Sequence, residues 1–119
     1  LMYAAARGNK KVVQLLLANN ADYTVVDKNG FNCLFYACLS LNSDLIKYLY
    51  GYIAAKDTVV AQKMLQSLAA DTTTILYNVL LVGRTDNDLL ETVQFLLGHG
   101  VPPTSNYDSK SAKNMQLFL

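Results

Sequence analysis

The sequence is short of the residues on which most catalytic and metal sites depend. Its 119 residues include a single histidine, His99, and only two cysteines, Cys33 and Cys38, whose spacing is not that of a CxxC pair. The nine acidic residues are dispersed, and neither a GxxxxGKS/T loop nor a GxGxxG turn occurs. We therefore expect no enzyme activity, no catalytic residues, no metal site and no cofactor. In particular, we expect His99, within Gly-His-Gly at a helix exit, to have a surface or capping role.

Charged residues and long apolar runs are also scarce. Charged residues make up 16% of the chain and the formal net charge is +1, so nothing indicates a nucleic-acid partner or an acidic membrane surface. The most apolar run, Ile75 to Val82, is interrupted by Asn78 and is too short to cross a bilayer. We therefore expect that these 119 residues do not insert directly into a membrane. With 52% hydrophobic residues, the chain has enough apolar side chains for a sizeable core.

The two cysteines also indicate the redox state of the cellular compartment in which the protein is found. Cys33 and Cys38 fall on one predicted helix, where a five-residue offset would place them on different sides. They do not form a small disulfide framework, and the sequence has no Asn-x-Ser/Thr sequon. A reducing, intracellular compartment fits these observations best, and we expect the cytoplasm.

The sequence pattern of the first five residues recurs later in the chain. Leu1-Met2-Tyr3-Ala4-Ala5 is echoed 33 positions later by Leu34-Phe35-Tyr36-Ala37-Cys38. A period of this size is typical of repeat proteins, in which each repeat is one supersecondary unit. The chain also begins without Met and inside a repeat, so we expect it to be a piece of a longer protein.

The stretch 1–35 resembles one full ankyrin repeat and the start of the next. The run Leu15–Asp22, LLLANNAD, matches the family's LLLxxGAD with Asn20 in place of the glycine, and Asp27–Gly30 matches its DxxG turn. Leu1–Ala5 matches its LHxAA, with Met2 in place of the histidine that normally ties neighbouring loops together. The resemblance is strong over 1–50, moderate over 74–104 and weak elsewhere.

The resemblance implies an all-α fold, an ankyrin-repeat solenoid of helix-turn-helix units with short hairpin-like finger loops and a helical insert. The distance from Leu34 to Leu76, the next matching leucine, exceeds the repeat by nine residues, which is why we expect an insert. The expected divisions are 1–26 for repeat one, incomplete at its start, 27–52 for repeat two, 53–72 for the insert, 73–106 for repeat three and 107–119 for the start of repeat four.

Apolar spacing predicts which side chains face the core. In repeat one, helices are predicted over 1–7 and 10–18. Asn32 is expected to cap the helix that follows it, and in the insert Asp57 or Thr58 is expected to cap a helix. Asn19 and Asn20 can take the left-handed conformation that ends a helix. The core-facing residues expected in these two regions are Val12, Val13, Leu16 and Leu17 in the second helix, and Val60, Met64, Leu65 and Leu68 in the insert.

Three tyrosines fall within five residues of one predicted helix. Tyr48, Tyr50 and Tyr52 cannot all face one side of it. One interpretation is that one or two pack against the insert while the rest reach towards solvent. The other is an aromatic contact patch for a partner, since tyrosine is enriched at interface hot spots.

Ankyrin arrays bind proteins through the finger tips and the exposed side of each first helix, so the resemblance implies a protein partner. The positions of this sequence that match that surface are Ala6, Arg7, Val26, Lys28, Asn29, Phe31, Leu39 and Ser40. Our hypothesis is that Phe31 and Leu39 form an apolar anchor, with Arg7 and Lys28 attracting an acidic or polar rim. The competing interpretation is that Phe31 leans on the next finger. The insert is a second candidate site, or a cap over repeats two and three.

Three functions remain open from the sequence. The first is a scaffold or adaptor that docks another protein. The second is a regulatory ankyrin segment of a larger enzyme or channel, whose working domain lies outside these residues. The third is an architectural subunit of a large complex, which the divergent later repeats and the low charge would suit.

Overall fold

The computed structural model describes residues 1–68, 73–82 and 86–101, and within these ranges it contains helices and turns but no strand. This confirms the all-α fold class. The seven helices within these ranges are α1 (Met2–Ala6), α2 (Lys10–Ala18), α3 (Cys33–Ser40), α4 (Ser43–Lys56), α5 (Thr58–Gln66), α6 (Ile75–Leu80) and α7 (Asn87–Gly98). The expected fourth repeat, 107–119, lies outside the described residues, and the division of the chain into repeats stays a prediction.

The helices form two layers. α1 packs on α3 and α3 on α6, which makes one layer, while α4 packs on α7 in the other. The pairs α1–α2, α3–α4 and α6–α7 join the layers as helical hairpins, as the repeat period predicted. α5 lies against both α3 and α4. α1 can approach α3 closely because Ala4 and Ala5, on its inner side, are small and buried.

Polar residues immediately before the helices determine where most of them begin. From α2 onward, a side-chain oxygen of each N-cap residue accepts a hydrogen bond from a main-chain N–H in the first turn. These caps are Asn9, Asn32, Asn42, Asp57, Thr74 and Asp86. The caps predicted at Asn32 and Asp57 are confirmed. Asn20, at φ 65°, adopts the left-handed conformation expected after α2.

The predicted finger is a compact turn. The N–H of Gly30 donates to the carbonyl of Asp27, and that of Asp27 to the carbonyl of Phe31, both at 3.0 Å. Gly30 has φ 79°, which a residue with a Cβ adopts only at a cost. No strand flanks this turn in the described part of the chain. The finger is therefore held by turn hydrogen bonds and by the side chain of Asp27.

The described part of the predicted insert is helical, but its apolar face differs from the prediction. α4 runs to Lys56, and Asp57 both ends it and caps α5. Met64 and Leu65 are buried and Val60 is half-buried, as expected. Leu68 is 46% exposed because α5 ends at Gln66, before the turn that would have directed Leu68 inward.

One further prediction about the core, the apolar face of α2, was partly wrong. Val13 and Leu17 are buried and Leu16 is half-buried, but Val12 is 39% exposed because no described helix covers its side of α2. Cys33 and Cys38, five residues apart on α3, are both buried, because neighbouring helices cover α3 on nearly all sides.

Candidate partner-binding site

A cavity of about 300 Å³ opens between α1, α3 and the turn Asp27–Gly30. Its lining is mainly apolar and aromatic, with one carboxylate and one phenol that can orient a bound group. The lining residues are Met2, Tyr3, Ala6, Asp27 and Tyr36. One of the predicted site residues, Ala6, is therefore part of the lining.

Tyr3 is the most exposed large side chain at this cavity. Since Ala4 and Ala5 face α3, the helical geometry of α1 directs Tyr3 outward, where it is 76% exposed. The guanidinium carbon of Arg7, one turn later, lies 5.9 Å from the centre of the Tyr3 ring, within the range of a cation–π contact. A cation and an exposed aromatic ring therefore share the rim of the cavity.

The side chain of Asp27 is fixed by three hydrogen-bond donors. One carboxylate oxygen, Oδ1, accepts hydrogen bonds from the N–H groups of Asn29 and Phe31, both at 2.9 Å. The other, Oδ2, accepts a short hydrogen bond from the hydroxyl of Tyr36. The bond from Tyr36, chiefly, lowers the pKa of Asp27 below its ordinary value, and the same bond raises the pKa of Tyr36. The turn is thereby bound to α3 at the mouth of the cavity.

The predicted site residues lie around this cavity in different states of exposure. Ala6 lines it, and Arg7 stands at its rim. Val26, Lys28 and Asn29 are exposed on the turn. Ser40 lies beside Gly8, just beyond α1, and its hydroxyl donates to the carbonyl of Ala37. The structure thus places most of these residues near one another, although whether they bind a partner stays a prediction.

Phe31 and Leu39 contribute to folding more than the sequence suggested. The Phe31 ring stacks on Phe35, with centroids 4.8 Å apart and planes inclined by 8°, and meets Tyr36 edge-on at 5.5 Å. Leu39 is half-buried against the core. Their apolar character is therefore explained at least in part by packing. A simple truncation of Phe31 would disturb the turn as well as any bound partner.

Tyr3, Asp27 and Tyr36 were missed as candidate site residues. The repeat period contained the signal for two of them, because Tyr3 and Tyr36 are 33 positions apart and hold equivalent places on α1 and α3. Residues at equivalent positions of stacked repeats face the same side. Asp27 was recognised only as a turn residue, and its link to Tyr36 depends on a tertiary contact.

The three neighbouring tyrosines divide between two sides of α4. Tyr50 faces α5 and α7, where its hydroxyl donates to Oε1 of Gln62 at 2.8 Å and its ring contacts Phe95 and His99. This confirms that the three do not share one face and that one of them packs against the insert. Tyr48 and Tyr52 instead face α2.

The only histidine is a packing and capping residue. His99 is the C-cap of α7, its Nδ1 lies 2.8 Å from the carbonyl oxygen of Phe95, and its ring contacts Tyr50 and Phe95. Its own carbonyl accepts a 2.6 Å bond from Gln62. The predicted capping role is confirmed, and these contacts also bind α5 to the end of α7.

The chemistry of the described residues contains no sign of a reactive centre. Burial raises the pKa of the Cys33 thiol to about 12 and that of Cys38 even further, so neither forms a thiolate readily. Within the described ranges no group of His, Cys, Asp and Glu could hold a metal ion. Nor does any helix there have the length and apolar character needed to cross a membrane.

Comparison with known proteins agrees with this architecture. A family model described as ankyrin repeats in many copies matches residues 1–49. Among solved structures, the chain is similar to the ankyrin repeat domain of human ASB11, with a TM-score of 0.61 and 20% sequence identity over 86% of this chain. The chain spans 40% of the length of that domain. No curated protein matches. Residues 1–49 therefore belong to the ankyrin repeat family, and the chain is folded as an ankyrin-repeat solenoid.

Proposed function

We propose that this chain is a scaffold or adaptor module that binds a protein partner at the cavity between α1, α3 and the turn Asp27–Gly30. Ankyrin repeats are generally protein–protein interaction modules and are typically non-catalytic. The observation that carries the proposal is the exposure of Tyr3, 76%, beside an apolar cavity large enough to receive a partner side chain. Exposed aromatic rings next to a pocket and an arginine are typical of interface hot spots.

The charged side chains around the cavity indicate the chemistry of the partner. Arg7 and Lys28 are exposed cations on the two elements that border the cavity, whereas the carboxylate of Asp27 already accepts hydrogen bonds from three donors. An apolar partner side chain would enter the cavity, and polar or acidic neighbours would meet the two cations. Ala6, Val26, Asn29 and Ser40 would provide the surrounding contact surface.

Site-specific photocrosslinking in the full-length protein tests this assignment. A benzophenone amino acid placed at Tyr3 should capture a partner, while the same amino acid at Val59, which is 62% exposed on α5, should not. In a binding assay with the captured partner, Tyr3→Ala combined with Arg7→Ala should weaken affinity by about tenfold or more. Val59→Ala, the matched control, should have no effect. Equal crosslinking from both positions, or unchanged affinity of the double variant, would reject the cavity as the binding site.

We infer that α5 acts as a cap over repeats two and three, the second of the two roles considered for the insert. Its inner residues Ala61, Met64 and Leu65 are buried, and its side chains reach both neighbouring repeats. Gln62 bonds the carbonyl of His99 after α7, and Asn32 at the start of α3 bonds the carbonyl of Met64. The absence of crosslinks at Val59 in the experiment above would support this role.

A further inference from the structure

The two helices α2 and α4 differ in charge from the rest of the chain. They carry four lysines and one aspartate, a net charge of +3, whereas the whole chain has a net charge of +1. The lysines are Lys10 and Lys11 on α2 and Lys47 and Lys56 on α4, and the aspartate is Asp44. The remainder of the chain is therefore net negative, and its positive charge is concentrated on this pair of helices.

Two of these lysines belong to an ordered row with two tyrosines. Tyr48, Tyr52 and Lys56 are spaced four residues apart, so they lie along one face of α4. The ammonium of Lys10 reaches from α2 to within 5.6 Å of the Tyr48 ring centre, and that of Lys56 lies 5.1 Å from the Tyr52 ring centre. The two rings are 6.4 Å apart. We call Lys10, Tyr48, Tyr52 and Lys56 the lysine–tyrosine row.

The row is held in place by the core beneath it. The Tyr52 ring makes an edge contact with Tyr23 at 6.3 Å, and both tyrosines of the row are half-buried. The ammonium groups lie within cation–π range of these fixed rings. Restricting a lysine in advance lowers the conformational entropy that it would lose when a ligand binds.

We propose that the lysine–tyrosine row binds an acidic segment of a partner protein, with Asp or Glu carboxylates meeting Lys10 and Lys56. This surface lies between α2 and α4, away from the cavity between α1 and α3, and the inference does not depend on the proposed function. Charge complementarity supports it, because the row lies within the most positive region of the described structure. Tyrosines flanked by cations also provide the rigid aromatic area that protein interfaces favour.

Other anionic ligands fit this surface less well. A single-stranded nucleic acid would need exposed ring faces for its bases, but these tyrosines are half-buried and already neighbour a lysine and each other. The region contains no arginine with which to bind phosphate in a bidentate manner. A lipid surface would favour exposed apolar side chains in the row itself.

Asp44 provides an internal check on this proposal. It lies one turn before Tyr48 on the same face of α4 and is exposed. Its carboxylate opposes an acidic ligand, although it stabilises the first turn of the helix. Asp44→Asn should therefore strengthen binding of an acidic segment, while charge reversal of the lysines should weaken it.

Fluorescence anisotropy of the full-length protein with a labelled deca-glutamate peptide, at about 0.05 M ionic strength, tests the proposal. Lys10→Glu combined with Lys56→Glu should weaken binding about tenfold or more. The control, Lys47→Glu combined with Lys63→Glu, changes the net charge equally at exposed positions outside the row and outside the cavity rim, and it should weaken binding less than threefold. Circular dichroism must show that both variants retain their helices.

Three results would overturn the proposal. The first is no measurable binding of the peptide by the wild-type protein. The second is equal weakening by the two charge-reversed variants, which would indicate general attraction without a site. The third is tighter binding of phosphatidylserine vesicles or duplex DNA with the same dependence on Lys10 and Lys56, which would assign the row to a different class of ligand.

Discussion

The side-chain amide of Asn32 donates a hydrogen bond to the main-chain carbonyl of Met64 at 3.0 Å, and its oxygen accepts one from the N–H of Phe35. One buried asparagine therefore caps the start of α3 and also satisfies a carbonyl near the end of α5. The amide also lies 3.1 Å from the hydroxyl oxygen of Ser67. The start of α3 is thereby joined to the end of α5.

Replacing Asn32 by aspartate separates these two roles. A carboxylate can still cap α3, but it places a negative charge against the carbonyl of Met64 and cannot donate. Because Asn32 is only 2% exposed, we expect Asn32→Asp to destabilise the protein by about 2–3 kcal/mol. Urea denaturation followed by circular dichroism gives the free energy of unfolding.

Asn9 is the matched control for this prediction. It caps α2 through a 3.2 Å bond from the N–H of Val12 and is exposed. Asn9→Asp keeps the cap and loses no buried bond, so its effect should stay within about 0.5 kcal/mol. If Asn32→Asp proved as mild as Asn9→Asp, the bond to Met64 would have no importance for stability.

Two glycines should respond to alanine in opposite directions. Gly8 has φ 69°, and its carbonyl accepts a 2.9 Å bond from the Asn42 side chain. A Cβ there would meet its neighbours no closer than 3.5 Å, so the cost is that of the backbone alone, about 1 kcal/mol. Gly51 lies inside α4 with open space around it, and Gly51→Ala should stabilise by about 0.5–1 kcal/mol. Thermal unfolding of the two variants measures both, and a shift of the same sign would contradict the argument.

The sequence predicted local structure better than tertiary relationships. The period of 33 and the caps at Asn32 and Asp57 follow from residue spacing and hydrogen-bonding chemistry, and the structure has both. The exposure of Val12 and Leu68 could not be predicted, because it depends on which helix covers them. The link from Asp27 to Tyr36 joins residues nine apart on different elements, and it could be recognised only once α3 was placed.

The hydrogen bond from Tyr36 to Asp27 predicts how stability depends on pH. The pKa of Asp27 is lowered from 3.8 in the fold, so its contribution is present above that value and is lost as pH falls through the folded pKa. The pKa of Tyr36 is raised from 10.0, so its contribution is present below that value and is lost as pH rises through the folded pKa. Tyr36→Phe should reduce stability by about 1 kcal/mol near neutral pH and flatten both limbs of the profile.

Tyr3→Phe is the control for the pH profile. Tyr3 is exposed on α1 and lines the same cavity. The hydroxyl that donates a hydrogen bond to Asp27, however, is that of Tyr36. Free energies of unfolding measured from acid to alkaline pH should therefore coincide for Tyr3→Phe and the wild-type protein. An unchanged acid limb in Tyr36→Phe would mean that the two N–H donors alone determine the pKa of Asp27.

Leu65 and Leu68 test the revised boundary of α5. Leu65 is fully buried, and truncation to alanine should cost about 2–5 kcal/mol through lost burial and a residual cavity. Leu68 is 46% exposed beyond the end of the helix, so Leu68→Ala should cost less than about 1 kcal/mol. Chemical denaturation of the two variants distinguishes this arrangement from a longer amphipathic helix, in which both losses would be large.

The two cysteines should become reactive only when the protein unfolds. Cys33 is 1% exposed, and its thiol donates to the carbonyl of Tyr23 at 3.4 Å, while Cys38 is fully buried among apolar neighbours. Burial raises the pKa of both thiols, so little thiolate is present at neutral pH and reagents cannot reach it. Labelling with a maleimide should be slow in buffer and should rise together with the loss of helix during a urea titration. Rapid labelling of the folded protein at neutral pH would show that α3 opens locally, and it would place the α1–α3 contact among the weakest of the fold.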